Sequence, residues 1–241
     1  TLWLRASVLG NDKYKTRDTM QAVSRRVVTN QKGPHERLRE TVLKHLHSPF
    51  LRPIADHTKQ VFEQVIGRIA TESKPLIFDA CCGVGDSSRH LARTYPEHWV
   101  IGVDKSESRL TRERQGVAFE NLVLARADLN DFYRLAVMAG WRFDRHYILY
   151  PNPWPKSAHL GRRWHGAPVF PSIIELGGQL ELRSNWKLYL EEFSIALETM
   201  NHECHIEPFV PETYLTPFEK KYHNSGQALW RLKADMNWEA S

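Results

Sequence analysis

LIFDACCGVGDSSRHLARTYPEHWVIGVD, residues 76–104, reads as a strand, a glycine turn, a helix and a second strand. Lys74-Pro75 punctuates the chain before the apolar run Leu76-Ile77-Phe78, whose continuity suits a strand buried on both faces. The turn Asp79-Ala80-Cys81-Cys82-Gly83-Val84-Gly85 follows, and residues 86–95 carry a helical pattern. Trp99-Val100-Ile101-Gly102-Val103 is then a second apolar strand, closed by Asp104. Strands joined through a helix run parallel, so the unit is βαβ.

The same alternation extends in both directions. Upstream, Val61, Phe62, Val65, Ile66 and Ile69 recur at helical spacing. Downstream, helix 106–116, strand 122–125, helix 129–139 and strand 144–150 continue it. A helix ends at Gly177-Gly178, residues 179–183 alternate as a strand, and Ser184 or Asn185 is placed to cap a helix running to Met200. Two further strands fall near 204–209 and 228–233. The pattern predicts an α/β fold with a doubly wound, mostly parallel, seven-stranded sheet over residues 56–241, preceded by a basic extension over 1–55.

The turn carries the first chemical argument. Gly83 and Gly85 allow a tight bend and let a ligand approach the backbone without a Cβ in the way. Asp104 ends the next strand, where its carboxylate can accept bonds from both hydroxyls of a ribose. Serine stands where a third Gly or Ala would complete a dinucleotide fingerprint, which counts against NAD and FAD. A shorter turn with Asp79 before it suits a cationic nucleoside such as S-adenosylmethionine, and Asp128 is placed to receive the adenine amino group. A generic glycine turn with surface acids is the competing reading.

The second argument is YPNPWPKSAHLGRR, residues 150–163. The prolines around Trp154 fix φ and predict a rigid, extended loop that presents Asn152 and Trp154, an amide for a base edge and an indole for its face. Lys156, His159, Arg162 and Arg163 follow as a phosphate-binding run. Alternatively, Trp154 caps the core.

Charge is uneven along the chain. Residues 1–60 hold 12 Lys/Arg against 5 Asp/Glu, whereas the remainder holds 21 against 23. The basic part, from KYKTRD through Arg25-Arg26, Lys32, Arg37, Arg39, Lys44 and Arg52, suits a segment tracking a polyanion, although solvated charged segments are common. No apolar run approaches the ~20 residues that span a bilayer, and the opening TLWLRASVLG breaks off too early for a signal peptide, so a cytoplasmic protein without a membrane is expected. The three cysteines at 81, 82 and 204 form neither a disulfide framework nor a zinc spacing, and no metal is expected.

Five motifs occur in the order found in the class I tRNA (guanine-N7)-methyltransferases, which the chain resembles over about residues 75–235. They are Asp79–Gly85, Gly102-Val103-Asp104, Asn152-Pro153-Trp154-Pro155-Lys156 with His159, Arg162 and Arg163, Ser184-Asn185-Trp186, and Thr216-Pro217-Phe218-Glu219. The resemblance implies a Rossmann-like fold, S-adenosylmethionine as methyl donor and tRNA as partner. It implies a cofactor set of Asp79, Cys81, Gly83, Gly85, Asp104, Lys105, Asp128 and Leu129. On the acceptor side it implies Asn152 at the reacting base, with Trp154, Lys156, His159, Arg162, Arg163, Asn185, Thr216, Phe218 and Glu219 around the substrate.

Two departures bear on specificity. Asn152 and Asn185 stand where the family normally has aspartate, so the pocket loses two negative charges. Three readings follow: an RNA-directed N-methyltransferase acting at guanine N7, an N-methyltransferase for a free purine-like heterocycle, and a catalytically degenerate RNA-binding or partner subunit. Trp164, Trp186 and Trp230 are expected in the core rather than on a ligand. The oligomeric state stays open.

Overall fold

The computed structural model describes residues 24–112 and 118–236. The elements run α1 (Leu38–Leu46), α2 (Asp56–Ile69), β1 (Leu76–Ala80), α3 (Asp86–Thr94), β2 (Trp99–Asp104), α4 (Glu107–Leu110), β3 (Leu122–Arg126), α5 (Leu129–Met138) and β4 (Arg145–Leu149). After the Pro loop and two short 3-10 turns, Ser157–Arg162 and Trp164–Gly166, come α6 (Phe170–Glu175), β5 (Gln179–Ser184), α7 (Lys187–Thr199), β6 (Cys204–Phe209), α8 (Pro217–Asn224) and β7 (Leu229–Asp235). The seven strands form one sheet in the order β3-β2-β1-β4-β5-β7-β6, parallel except for β7, which pairs antiparallel with both neighbours.

Alternation along the inner strands divides the core. Phe78, Ile101 and Ile148 join the larger cluster with Phe132 and Tyr133 of α5, Phe193 and Leu197 of α7, and Leu38 and Val42 of α1. Their neighbours Ile77, Val100 and Tyr147 face the other way, onto Leu91 and Ala92 of α3 and Leu215. Trp186 is buried among the first cluster, and Trp164 and Trp230 pack against it, so all three are core residues.

Within residues 24–55, α1 contributes Leu38 and Val42 to the main core, and Arg52 is paired with Asp128 (3.2 Å) and Asp131 (2.6 Å). Arg37 and Arg39 are likewise paired, with Glu40 and Glu198, while Arg25, Arg26, Lys32 and Lys44 are exposed. The run KYKTRD lies outside the described residues.

Two local expectations are also corrected. The helix expected over 106–116 is the single turn Glu107–Leu110, and residues 113–117 are outside the described set. Neither Ser184 nor Asn185 caps α7, because Trp186 takes the N-cap position; Ser184 Oγ accepts from the Trp186 amide at 3.1 Å, and Asn185 turns away to Gln227.

His146 of β4 is a buried base held neutral. Its Nε2 lies 2.8 Å from Tyr133 Oη, its Nδ1 has no partner, and burial pushes it down to about 3. A chain unfolded from this state binds a proton near 6.5 that the folded form refuses until about 3. The contribution of this group is therefore whole above 6.5 and lost as the pH falls through that window. Thermal unfolding should fall on acidification, and the double variant His146→Phe with Tyr133→Phe should show a shallower slope; an unchanged slope would remove His146 as a cause.

Candidate active site

Strand register gathers the site. Ala80 of β1 is level with Val103 of β2 and Ile148 of β4, so the glycine turn, Lys105 and the loop from Tyr150 all leave the same carboxyl edge. This is where the strand order reverses around β1, the usual ligand crevice of such sheets.

The turn after β1 depends on three left-handed residues, Cys81, Gly83 and Gly85, at φ +59°, +61° and +77°. A Cβ on Gly85 would lie 2.8 Å from Arg89 Nη1 and 3.0 Å from Leu124 Cδ1, whereas one on Gly83 would meet nothing within 4 Å. Gly83 therefore leaves open space over the turn. Its amide donates to Asp104 Oδ2 at 3.1 Å, and Ser106 N donates to Oδ1 at 2.8 Å, which pins the carboxylate at the end of β2.

Asp79 is fully buried beneath the turn. Its Oδ2 accepts from Ser87 Oγ and Ser88 Oγ, both at 2.6 Å, and its Oδ1 has no partner. Burial pushes the carboxyl up to about 6 against the two hydroxyls, and Asp104 adds to the rise. The serine in place of a third glycine thus anchors an acid, and Gly102 makes room for it: a Cβ there would come within 2.3 Å of Ser88 Oγ. A buried carboxylate oxygen lacking a donor fits the amino group of a cationic nucleoside.

Asp128 caps α5, its Oδ1 accepting from Asn130 N (2.8 Å), Asn130 Nδ2 (3.0 Å) and Arg52 Nη2 (3.2 Å), and Leu129 is buried next to it. Lys105 is exposed just beyond β2, and burial raises the Cys81 thiol to about 12, so it stays protonated.

The Pro loop is not uniformly extended. Tyr150 and Trp154 sit at φ +52° and +45°, left-handed positions that cost an L-residue about 1–2 kcal/mol each unless something holds them. Arg163 is what holds Trp154: its Nε and Nη2 donate to the Trp154 carbonyl at 3.1 and 3.0 Å. This corrects the expected role of Arg163, which is 0% exposed and ion-paired with Glu192, and so does not reach a phosphate. Arg162 is exposed instead, with its guanidinium 4.8 Å over the Trp154 ring, and His159 meets the ring edge-on at 5.6 Å. Partial desolvation and the charges of Arg162 and Lys156 keep His159 below its ordinary value. Asn152 and Lys156 are exposed on the loop.

Thr216 and Glu219 were expected to face the substrate and are buried. Thr216 Oγ1 accepts from Glu219 N at 3.0 Å and so starts α8. The Glu219 carboxylate accepts from Leu215 N (2.8 Å), Arg183 Nη1 (2.8 Å) and Tyr150 Oη (3.0 Å), which clamps the start of the Pro loop. Phe218 is 43% exposed beside Tyr222. Arg183, Tyr150, Gln31 and Glu192 were not among the sequence candidates; only the alternation of β5 marked Arg183 at all.

A cavity of about 550 Å³ lies at the opposite edge, lined by Arg68, Lys74 and Trp99. Its cations are engaged, Lys74 with Glu72 and Arg68 with the Glu120 carbonyl, and Trp99 is buried.

The fold is α/β and Rossmann-like; two solved structures that share it are an antibiotic-related methyltransferase (TM-score 0.54, 13% identity, 72% of this chain and 94% of that one) and a 16S rRNA (adenine(1408)-N(1))-methyltransferase from Catenulisporales acidiphilia with its cosubstrate SAM (0.52, 17%, 75% and 93%). Residues 73–232 match the family described as putative methyltransferase. The tRNA (guanine-N(7)-)-methyltransferase of Ectopseudomonas mendocina (strain ymp) is 30% identical over 187 residues, 71% of this chain and 75% of the relative, and that of Pseudomonas fluorescens (strain Pf0-1) is 29% identical over 198, 76% and 79%. The chain belongs to the tRNA (guanine-N7)-methyltransferase family.

Proposed function

We infer that this protein transfers a methyl group from S-adenosylmethionine to N7 of a guanosine in tRNA. The observation that carries the reading is the unpartnered, buried oxygen of Asp79 under an open glycine turn, in a chain whose curated relatives bear that activity as their name. When bound, the donor supplies a methyl group activated on a sulfonium. Asp79 holds its amino group, Asp104 accepts from the ribose while keeping its two amide bonds, and Asp128 with Leu129 borders the adenine. Cys81, Gly83, Gly85 and Lys105 complete that side.

Guanine N7 is a lone-pair nucleophile and needs no general base, so the acceptor residues orient the base and receive the developing charge. Asn152 takes the base edge, Asn185 and Phe218 flank it, and Lys156, His159 and Arg162 meet the phosphates. Trp154 supports Arg162 in this role. Among the described residues no helix is long and apolar enough to cross a membrane, and no cluster of three metal-ligating side chains occurs. A tRNA acceptor supports a cytoplasmic site of action.

The test is transfer from labelled S-adenosylmethionine to total tRNA and to free purines side by side. Label recovered as 7-methylguanosine from digested tRNA supports the reading; label on a free heterocycle, or on neither, sinks it. Asn152 sharpens the point, since a neutral amide accepts through one oxygen and faces the cationic product without a charge. Asn152→Asp should raise guanine-N7 turnover by about 10- to 150-fold, one charge-assisted bond of roughly 1.5–3 kcal/mol. A fall in turnover would mean that the amide is the working group.

A further inference from the structure

Prolines at 151, 153 and 155 remove three amide donors from the loop, and several of its carbonyls are met by side chains from other segments. Arg163 takes those of Trp154 and Lys156, the latter through Nη2 at 3.2 Å. Beyond the Glu219 clamp on Tyr150, a further set of partners comes from far upstream. Thr29 Oγ1 donates to the Pro155 carbonyl at 2.6 Å, Asn30 Oδ1 accepts from Ser157 N at 3.0 Å, and Gln31 Oε1 accepts from Arg163 Nη2 at 2.5 Å. Gln31 Nε2 also donates to Glu192 Oε1 at 2.8 Å, so one amide serves both members of the buried ion pair.

The same short segment reaches the second acceptor element. Ser24 N donates to Ser225 Oγ at 2.9 Å, and its carbonyl accepts from Gln227 Nε2 at 2.8 Å. Gln227 Oε1 in turn accepts from Asn185 Nδ2 at 2.8 Å. This relay engages one of the two N–H donors of Asn185 and fixes the orientation of its amide. None of these bonds reaches Asp79, the glycine turn or Asp104.

We propose that residues 24–31 are a strap that positions the acceptor side of the site, Thr29 and Gln31 setting the Pro loop and Ser24, through Gln227, setting Asn185. Thr29 and Gln31 are positioning residues: they touch the loop and not the reacting atoms. The kinetic consequence rests on the methyl transfer to tRNA proposed above, while the mechanical one does not.

The experiment compares Thr29→Val, Thr29→Ser and Gln31→Leu in the full chain with the wild type. Backbone hydrogen exchange over residues 156–163 should be about five- to tenfold faster in Thr29→Val and Gln31→Leu, and restored in Thr29→Ser, which keeps the hydroxyl. Calorimetric affinity for S-adenosylmethionine should stay at the wild-type value, while kcat on tRNA falls by about the same factor as the exchange rises. Should Gln31→Leu fail to fold, Thr29→Val against Thr29→Ser still decides. Loop exchange at the wild-type rate in Thr29→Val, or no rescue by serine, overturns the strap. A wild type that does not methylate tRNA overturns the acceptor assignment, and the exchange result alone then judges the strap.

Discussion

Arg163→Met is expected to destabilise the fold by about 3–5 kcal/mol, the usual result of stripping one partner from a buried ion pair. Arg163 and Glu192 are both completely buried and ion-paired, with His165 Nε2 3.0 Å from the same carboxylate and the His35 amide donating to its other oxygen at 2.9 Å. Burial opposes the Glu192 charge, but His165, Gln31 and the permanent charge of Arg163 hold the carboxyl down at about 2. Methionine at 163 would leave that charge stranded and would free the Trp154 and Lys156 carbonyls at once. Adding Glu192→Met to the same chain removes the stranded charge and should recover part of the loss. Urea unfolding of the three proteins checks this; a single variant as stable as the wild type would show that the pair does not anchor the loop.

Asp79→Asn is expected to weaken S-adenosylmethionine binding by about 10- to 150-fold, through loss of a charge-assisted bond to the amino group. Asparagine can still accept from Ser87 and Ser88, so the turn itself should survive. The pH dependence gives an independent check. With the carboxyl pushed up to about 6 by burial, wild-type affinity should decline as the pH drops below that value, and the variant should be flat across it. For the free protein the sign is opposite. A raised carboxyl favours the folded state fully below its ordinary 3.8 and loses that favour as the pH rises through about 6, so Asp79→Asn should stabilise the unliganded protein at neutral pH. Calorimetry showing equal affinity in both proteins above pH 6 would take Asp79 out of the site.

The order of elements from α2 to β6 and the glycine turn after β1 were legible because their signals are local. The apolar run at 76–78, the glycines at 83 and 85 and the acid at 104 lie within one βαβ unit, and each declares its conformation to near neighbours. All seven expected strands occur, with ends shifted by a few residues at most. The acceptor side was less legible. Arg162 and Arg163 are adjacent and identical in type, yet one is exposed and the other wholly buried; the 3-10 turn at 157–162 orients them apart, and nothing in the local pattern says which turns inward. Asn185, read as a substrate contact or a cap, is engaged by a glutamine 42 positions later.

By itself, then, the chain determined its sheet, its helical crossovers, the glycine turn and the placement of Asp79 and Asp104, since backbone periodicity and steric permission are set by residues within a few positions of one another. Only the tertiary structure decided which charges are working groups and which are internal props: that Glu219 clamps Tyr150, that Arg163 and Glu192 lock the Pro loop, and that a segment resembling a free basic arm is partly built into the domain. The physical reason is desolvation. A charged side chain is buried or exposed according to whether a partner can meet it, and the partners here, Gln31 for Arg163 and Tyr150 for Glu219, lie 132 and 69 positions away along the chain.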